Sequence, residues 1–472
     1  MQVHDKLYIN GQWVAPKGTG KIDVIDPSTE EVCGVVPSGN ADDVNAAVAA
    51  AKAAFKTWSR TSAAYRSELI GKIAAKFTEN MAKVGELCAR ELGTPLKTSI
   101  GLHGGLGIGV MSSYKEVPFE MEKEEKIGNS IIIKEPIGVC GFITPWNFPL
   151  HQIVAKLAPA LAAGCTVVVK PSSETPLTAF WLAQVLHDVG LPAGVFNLVT
   201  GPGRTVGEAM CTHPDVDMVS ITGSTEAGIR VAQLAAGTVK RVSQELGGKS
   251  VLLALEDADI AQAAARASGG ICANSGQVCA ALSRLLVPRA KQDIAIAAAK
   301  AAAESVVVGG AFDDGVTMGP VSSKAQFDTV RSYIKKGIEE GATLVTGGLD
   351  MPAGKNTGYF VKPTVFADVR NDMTIAQEEI FGPVLCIIPY DNEAQAIEIA
   401  NDTIFGLSGA VYSGSQERAI AAAKQIRTGQ VSINGGAFNV AAPFRWFKQS
   451  GNGRELGPHG LTEFVELKAM QL

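Results

Sequence analysis

The chain has 472 residues, 46 % hydrophobic and 19 % charged, with 42 basic against 47 acidic side chains and a formal net charge of −5. That length accommodates roughly three folding units, or two large ones, each with a sizeable core, and the composition excludes a disordered or collagen-like chain. Acidic and basic residues are interspersed with no basic stripe to neutralise a run of phosphates, so nucleic acid is not an expected partner.

Residues 1–10 lack the charged-then-apolar pattern of a signal peptide, and no apolar run is long enough to span a bilayer, so a cytoplasmic location is expected. Short strands with turns come first, around Leu7, Tyr8 and Ile9. From Asp42 and Asp43 onward Val44, Val48, Ala51 and Phe55 recur at helical spacing, a core-facing stripe with no chemistry of its own. A second helical stretch covers 63–92 and ends at Gly93, with Pro95 beyond. The glycine-rich segment 94–109 has no GxGxxG arrangement and reads as packing or turn. Segment 116–135 is charged and reads as a hairpin around Gly128-Asn129, and the tail 461–472 alternates like a strand. Two strands without an obvious home suggest an extension that pairs with another subunit, in a dimer or tetramer.

Between 138 and 255, short β-branched runs alternate with helical patterns, the mark of a parallel sheet with crossover helices. The expected strands are Val139–Ile143, Thr166–Lys170, 195–199, 217–221 and 239–243, with helices from about His151, Pro176, Arg204 and Thr225. Ligands gather outside the carboxyl ends of such strands. Trp146-Asn147, Lys170, Gly201-Pro202-Gly203, Gly223-Ser224-Thr225 and Glu245-Leu246-Gly247-Gly248 all fall there, which makes that crevice the candidate nucleotide site. A second α/β pattern follows. It has a helix from Asp259, a loop Ser275-Gly276-Gln277-Val278-Cys279, a strand at Leu285-Leu286-Val287 and helices from Ala290 and over 324–340, and the pattern continues to 429–434.

Eight cysteines (Cys33, Cys88, Cys140, Cys165, Cys211, Cys272, Cys279, Cys386) are scattered with no CxxC pair, so neither a disulfide framework nor a structural zinc is expected. A cysteine that matters here matters as a thiol. Cys279, in the small uncharged loop SGQVCA, is the candidate, because a sulfur nucleophile must be reachable. A cysteine hydrolase would need a histidine base, and none of the six histidines sits in a recognisable partner motif.

Six segments occur in order: Thr144-Pro145-Trp146-Asn147-Phe148-Pro149, Val169-Lys170-Pro171-Ser172, Gly223-Ser224-Thr225, Glu245-Leu246-Gly247-Gly248-Lys249, Gly276-Gln277-Val278-Cys279 and Glu378-Glu379-Ile380-Phe381-Gly382-Pro383. Together they resemble the aldehyde dehydrogenase superfamily over essentially the whole chain. The resemblance implies a Rossmann-like dinucleotide unit (1–115 and 137–247), a second α/β catalytic unit (248–449), and a small β extension for oligomerisation (116–136 and 460–472). It implies oxidation of an aldehyde to the acid with NAD or NADP and no metal. Cys279 would attack the aldehyde, and Asn147 with the Cys279 backbone N–H would hold the oxyanion. Hydride would pass from the thiohemiacetal to the nicotinamide, and Glu245, on the turn after the fifth strand, would activate water to cleave the thioester. Lys156 and Glu455 match a proton-relay pair.

For the cofactor, the resemblance puts Lys170 at the adenosine ribose and Ser224, where a helix begins, at the pyrophosphate. Glu379 falls on the nicotinamide ribose and Phe381 against the ring, with Ile143, Trp146, Ser173, Gly203, Gly223 and Gly247 around them. Phe148, Val278, Ala280 and Phe444 are expected to line the substrate tunnel, and Ala155 suggests room for medium-chain or aromatic aldehydes. Two departures stand out. Ser173 replaces the glutamate with which NAD-selective members repel a 2′-phosphate, so both nucleotides are expected to be accepted. Arg445 and Trp446 replace two glycines common in relatives, a change that would reshape the entrance or a subunit contact. The alternatives are a CoA-acylating member, which generally lacks the glutamate at position 245, and a catalytically silent structural relative.

Overall fold

The computed structural model describes residues 1–472 and is built around two large sheets. The first has eight strands. Its parallel centre runs, in spatial order, Arg241–Glu245, Met218–Thr222, Val139–Ile143, Thr166–Lys170 and Phe196–Leu198. The earliest of these strands in the chain lies in the middle, so the order reverses between Val139–Ile143 and Met218–Thr222, and a crevice opens at their carboxyl ends. Antiparallel strands close both edges, Gly451–Asn452 on one side and Leu7–Ile9 followed by Gln12–Val14 on the other.

The second sheet has seven strands, all parallel except the edge pair Thr343–Thr346 with Thr364–Ala367. It runs on through Val384–Tyr390, Arg284–Pro288, Val251–Ala254, Ser408–Tyr412 and Gln430–Ile433. Its central strands are buried along their whole length, as Val251–Ala254 and Arg284–Pro288 illustrate, because helices cover both faces of a parallel sheet. Both sheets confirm the mixed α/β reading.

The helix Pro149–Ala163 carries residues of the site. Pro149 at its first turn needs no N–H partner and Gly164 ends it in the left-handed region at φ 95°, so residues 149–163 hold one continuous helix. It is buried along almost all its length, which is why its one lysine, Lys156, must find partners inside the protein.

Several expectations need correction. The stretch 63–92 is two helices, Ala63–Glu79 and Met81–Leu92, broken at Asn80. The segment 94–109, expected as turn, is helical: a short turn Leu96–Ser99, a π-helical turn Ile100–Gly104 and a helix Gly105–Ser113. Its glycines allow this, since a Cβ on Gly104 would meet Met81 Cγ at 2.7 Å and one on Gly107 would meet Leu150 at 2.6 Å. The helix expected from Arg204 begins as a π-helical turn, Gly203–Gly207, and becomes α-helical only over Glu208–Thr212. The strand expected over 239–243 runs Arg241–Glu245, because Val239 is exposed and left-handed at φ 57° and cannot join the ladder.

The charged segment and the tail pair with each other. Val465–Gln471 lies antiparallel to Ser130–Pro136, which turns back on Glu125–Ile127 through the Gly128-Asn129 hairpin. This three-stranded sheet leaves Ile127, Leu467 and Leu472 exposed. No helix is long and apolar enough to cross a membrane.

Candidate active site

A cavity of about 260 Å³ opens at the carboxyl ends of the first sheet and is closed on its other side by the second unit's loops. Nine of the predicted residues line it: Trp146, Asn147, Gly223, Ser224, Glu245, Gly247, Cys279, Glu379 and Phe381. They come from five separate segments. Pro145, Leu246 and Ile380, which lie inside the quoted motifs, line it too, as do Thr222, Gln326 and Thr329, which sequence reading missed. Thr222 was discoverable as the last residue of a strand ending in the crevice. Gln326 carries no local signal, being one polar residue on the helix Lys324–Glu339.

Glu245 is the last residue of its strand and not part of a turn, which corrects the expectation. Thr222 pairs with it on one side and Gly451 on the other, so its backbone is held from both directions. The side chain is buried, and neither carboxylate oxygen has a hydrogen-bond partner. Burial, then the nearby Glu455 charge, push its pKa up to about 8, with Lys156 acting in the opposite sense.

Cys279 is half-buried, four positions after Ser275 in a loop where Asn274 and Ser275 are both left-handed, at φ 47° and 56°. The loop is seated tightly, since a Cβ on Gly276 would lie 2.1 Å from the Gly382 carbonyl. Desolvation and the adjacent Glu245 carboxylate push the Cys279 thiol well above its ordinary pKa, so the sulfur rests as a thiol. Asn147 is buried and its Nδ2 donates to Gln277 O at 3.1 Å, which leaves its second amide proton uncommitted.

Lys156 and Glu455, 299 positions apart, meet as a buried ion pair. Lys156 Nζ also donates to Thr222 Oγ1 at 2.6 Å. This links the helix to the strand residue directly opposite Glu245.

Glu379 Oε1 accepts from Gly248 N at 3.0 Å, and burial pushes its pKa to about 7. Glycine at 247 leaves the Glu379 carboxylate its place, because a Cβ there would sit 2.3 Å from Glu379 Oε2 and displace it. Phe381, left-handed at φ 56°, meets Trp146 edge-on at 5.3 Å, and Gln326 Nε2 fixes the turn by donating to Phe381 O at 2.8 Å.

A second cavity of about 840 Å³ adjoins the first at Ser224 and is lined by Ile143, Gly203, Arg204 and Glu226, among others. Ser224 caps the helix Thr225–Ala235, accepting from Ala227 N at 3.2 Å. Lys170 lines neither cavity. Its buried stem passes beside Gly207 of the second one, its Nζ donates to Pro171 O at 2.7 Å, and burial lowers its pKa to about 8. Ser173 is half-buried, lines neither cavity and makes no hydrogen bond.

None of the four predicted tunnel residues lines the cavity that holds Cys279. Phe148 is buried between the His103 and His151 rings. Val278 faces a separate small crevice beside Gly276 and Gly382, at the start of the turn that its carbonyl closes by accepting from Ala281 N at 3.0 Å. Ala280 and Phe444 are half-buried, with Phe444 paired through its backbone to Glu455. Ala155 has no exposed surface and belongs to the core, so it opens no channel. Trp446 is buried against Phe444, and Arg445 points outward over Phe447.

The model of the Aldehyde dehydrogenase family matches residues 13–470. Among similar proteins, 3-succinoylsemialdehyde-pyridine dehydrogenase of a Pseudomonas species is 47 % identical over 471 residues, covering 100 % of this chain and 99 % of that one. A putative aldehyde dehydrogenase of Staphylococcus haemolyticus is 45 % identical over 470 residues, with the same coverage. Among solved structures, aldehyde dehydrogenase C of Pseudomonas syringae, as a cysteine-to-alanine variant with NAD+ and octanal, superimposes with a TM-score of 0.98 at 46 % identity, covering 99 % of this chain and 96 % of that one. An aldehyde dehydrogenase of Mycobacterium tuberculosis with NAD+ does so at 0.97 and 43 % identity, covering 100 % and 98 %. The chain belongs to the aldehyde dehydrogenase family and is an enzyme of the oxidoreductase class.

Proposed function

We propose that this enzyme oxidises a medium-chain or aromatic aldehyde to its carboxylic acid with NAD, accepts NADP as well, and releases the acid by hydrolysis. The carrying observation is that Cys279, Glu245 and Asn147 line one cavity with Glu379 and Phe381. The residues fit a dinucleotide. Glu379 offers a buried carboxylate to ribose hydroxyls, a helix start at Ser224 suits a pyrophosphate where the two cavities meet, and Gly203 leaves open space for close backbone approach. The nucleotide, when bound, supplies the hydride acceptor.

The chain's own groups do the rest. Glu245, with its raised pKa, is matched to take the proton of the Cys279 thiol near neutral pH, freeing the sulfur to bond to the aldehyde carbon. The free proton on Asn147 Nδ2 and the Cys279 backbone N–H receive the carbonyl oxygen as it becomes an oxyanion. Once the carbon is oxidised, the Cys279 thioester is cleaved by water that gives its proton to Glu245. The acid leaves and the sulfur is regenerated. Lys156 and Glu455, joined to Thr222, are the charged pair beside Glu245 whose fields set how readily it holds or gives up its proton.

The substrate class is supported by the pyridine semialdehyde in the name of one relative and by the octanal bound in another. The neutral Ser173 supports NADP acceptance. A carboxylate at Glu245 favours water over coenzyme A as acyl acceptor. The exposed apolar residues of the Val465–Gln471 sheet support its role as the oligomerisation extension of 116–136 and 460–472, beside the dinucleotide unit (1–115, 137–247) and the catalytic unit (248–449). The test is a panel of aliphatic, aromatic and semialdehyde substrates with each nucleotide and no coenzyme A. Stoichiometric acid is expected, and a requirement for coenzyme A would overturn the hydrolytic reading. A catalytic-efficiency ratio above about 1000 for NAD, about 4 kcal/mol of discrimination, would overturn NADP acceptance.

A further inference from the structure

The two groups assigned to bond making and oxyanion binding sit on loops from different units, and something must hold those loops in register. Asn274 does this with one amide. Its Nδ2 donates to Asn147 O at 2.9 Å and to Gln277 O at 3.3 Å, the same carbonyl that receives Asn147 Nδ2 at 3.1 Å. The Gln277 carbonyl is therefore shared by an amide from each loop. Because Asn274 Nδ2 faces two carbonyls, its flip state is fixed, and Oδ1 must face the other way.

There it accepts from Thr94 Oγ1 at 2.7 Å. A hydroxyl has one proton, and Thr94 spends it on Asn274, so its 3.0 Å contact with His103 Nε2 requires the ring nitrogen to donate. His103 Nδ1 is then the bare nitrogen, and it is the one buried without a partner. The chain of donors runs in one direction, from His103 through Thr94 and Asn274 to the backbones of Asn147 and Gln277. Thr94, His103 and Asn274 are all buried, so water cannot replace a missing link. The segment bearing Thr94 is itself tightly seated, with a Cβ on Gly319 falling 1.9 Å from the Gly93 carbonyl.

We infer that Thr94 and Asn274 are positioning residues, acting through the Asn147 and Gln277 backbones to aim the Asn147 amide at the oxygen of the carbonyl that Cys279 attacks. This rests on the roles proposed above for Cys279 and Asn147. Thr94→Val keeps the shape and removes both hydrogen bonds, whereas Thr94→Ser keeps them. With octanal and NAD as probes, the single-turnover rate of reduced-nucleotide formation is expected to fall about tenfold or more in Thr94→Val and to stay within about threefold in Thr94→Ser. Nucleotide affinity, read by fluorescence titration, should stay within about twofold in both. Asn274→Ala, the second variant should Thr94→Val fold poorly, is expected to lose about 10- to 100-fold of the same rate.

A wild-type rate in Thr94→Val, or equal losses in the valine and serine variants, overturns the inference, since packing alone would explain the contact. Asn147→Ala measured alongside separates the two levels of the argument. Full activity there would sink the oxyanion role and this inference with it. A slow Asn147→Ala beside a fast Thr94→Val would sink the positioning role alone.

Discussion

Glu245 must be ionised to take a proton, yet the fold makes its ionisation costly. It is buried and the Glu455 charge lies nearby, which together move its pKa from 4.5 to about 8 against the opposing pull of Lys156. If deprotonation of Glu245 limits thioester hydrolysis, the rate after the burst follows the ionised fraction, about one in ten at pH 7 and about one in a hundred at pH 6. Rapid mixing across that range reads it directly. Replacing the like charge by Glu455→Gln should move the acid limb to lower pH by about one unit, because Lys156 then faces Glu245 with its own counter-charge gone. The same shift has a stability consequence of defined sign. A raised folded pKa means the native state binds the proton more tightly than the unfolded chain. The penalty is therefore absent below pH 4.5 and grows as pH rises toward about 8, to on the order of 4 kcal/mol. Glu245→Gln should accordingly slow the burst of reduced nucleotide, since the thiol loses its base, abolish the steady turnover after it, and also melt later than wild type at pH 8 but not near pH 4.5. A flat rate profile down to about pH 6, or an acid limb that moves upward in Glu455→Gln, would refute the reasoning.

Further outcomes follow from the same geometry. Cys279→Ala should end oxidation while leaving nucleotide affinity within about a factor of ten, measured by titration, because it removes the nucleophile and few ligand contacts. Gly247→Ala should weaken nucleotide binding by about tenfold or more, since the new methyl group collides with the Glu379 carboxylate, and calorimetry would detect the loss. Glu91 is buried and accepts from Leu177 N at 2.7 Å and Thr178 N at 3.1 Å at the start of the helix Leu177–Asp188, so Glu91→Ala should cost about 2 to 4 kcal/mol in denaturant titration. On the oligomerisation role proposed for the sheet that Val465–Gln471 forms with Ser130–Pro136, deleting residues 465–472 should lower the mass seen by light scattering to that of a single chain.

Much of this molecule was legible in one dimension. Alternation of β-branched runs with helical stripes is a local property of a chain that must bury a parallel sheet, and it located the crevice strands to within two residues. Because ligands collect at strand ends, the polar and glycine residues there, from Asn147 to Glu245 and Gly247, were recognisable before any contact was known. Cys279 was legible from its loop and from the motifs around it. Burial was not legible, and with it the upward shifts of the Glu245 and Cys279 pKa values. Nor was the meeting of Lys156 with Glu455, or the thread from His103 and Thr94 through Asn274 to Asn147, whose members are local to nothing but each other in space. The directions in which the expected tunnel residues point were hidden for the same reason. Adjacency in sequence says which side chains share a loop, while their directions are decided only when the loop is packed. Periodicity is set by each residue's immediate neighbours, but hydrogen-bond partners and desolvation are set by whatever the completed fold brings alongside.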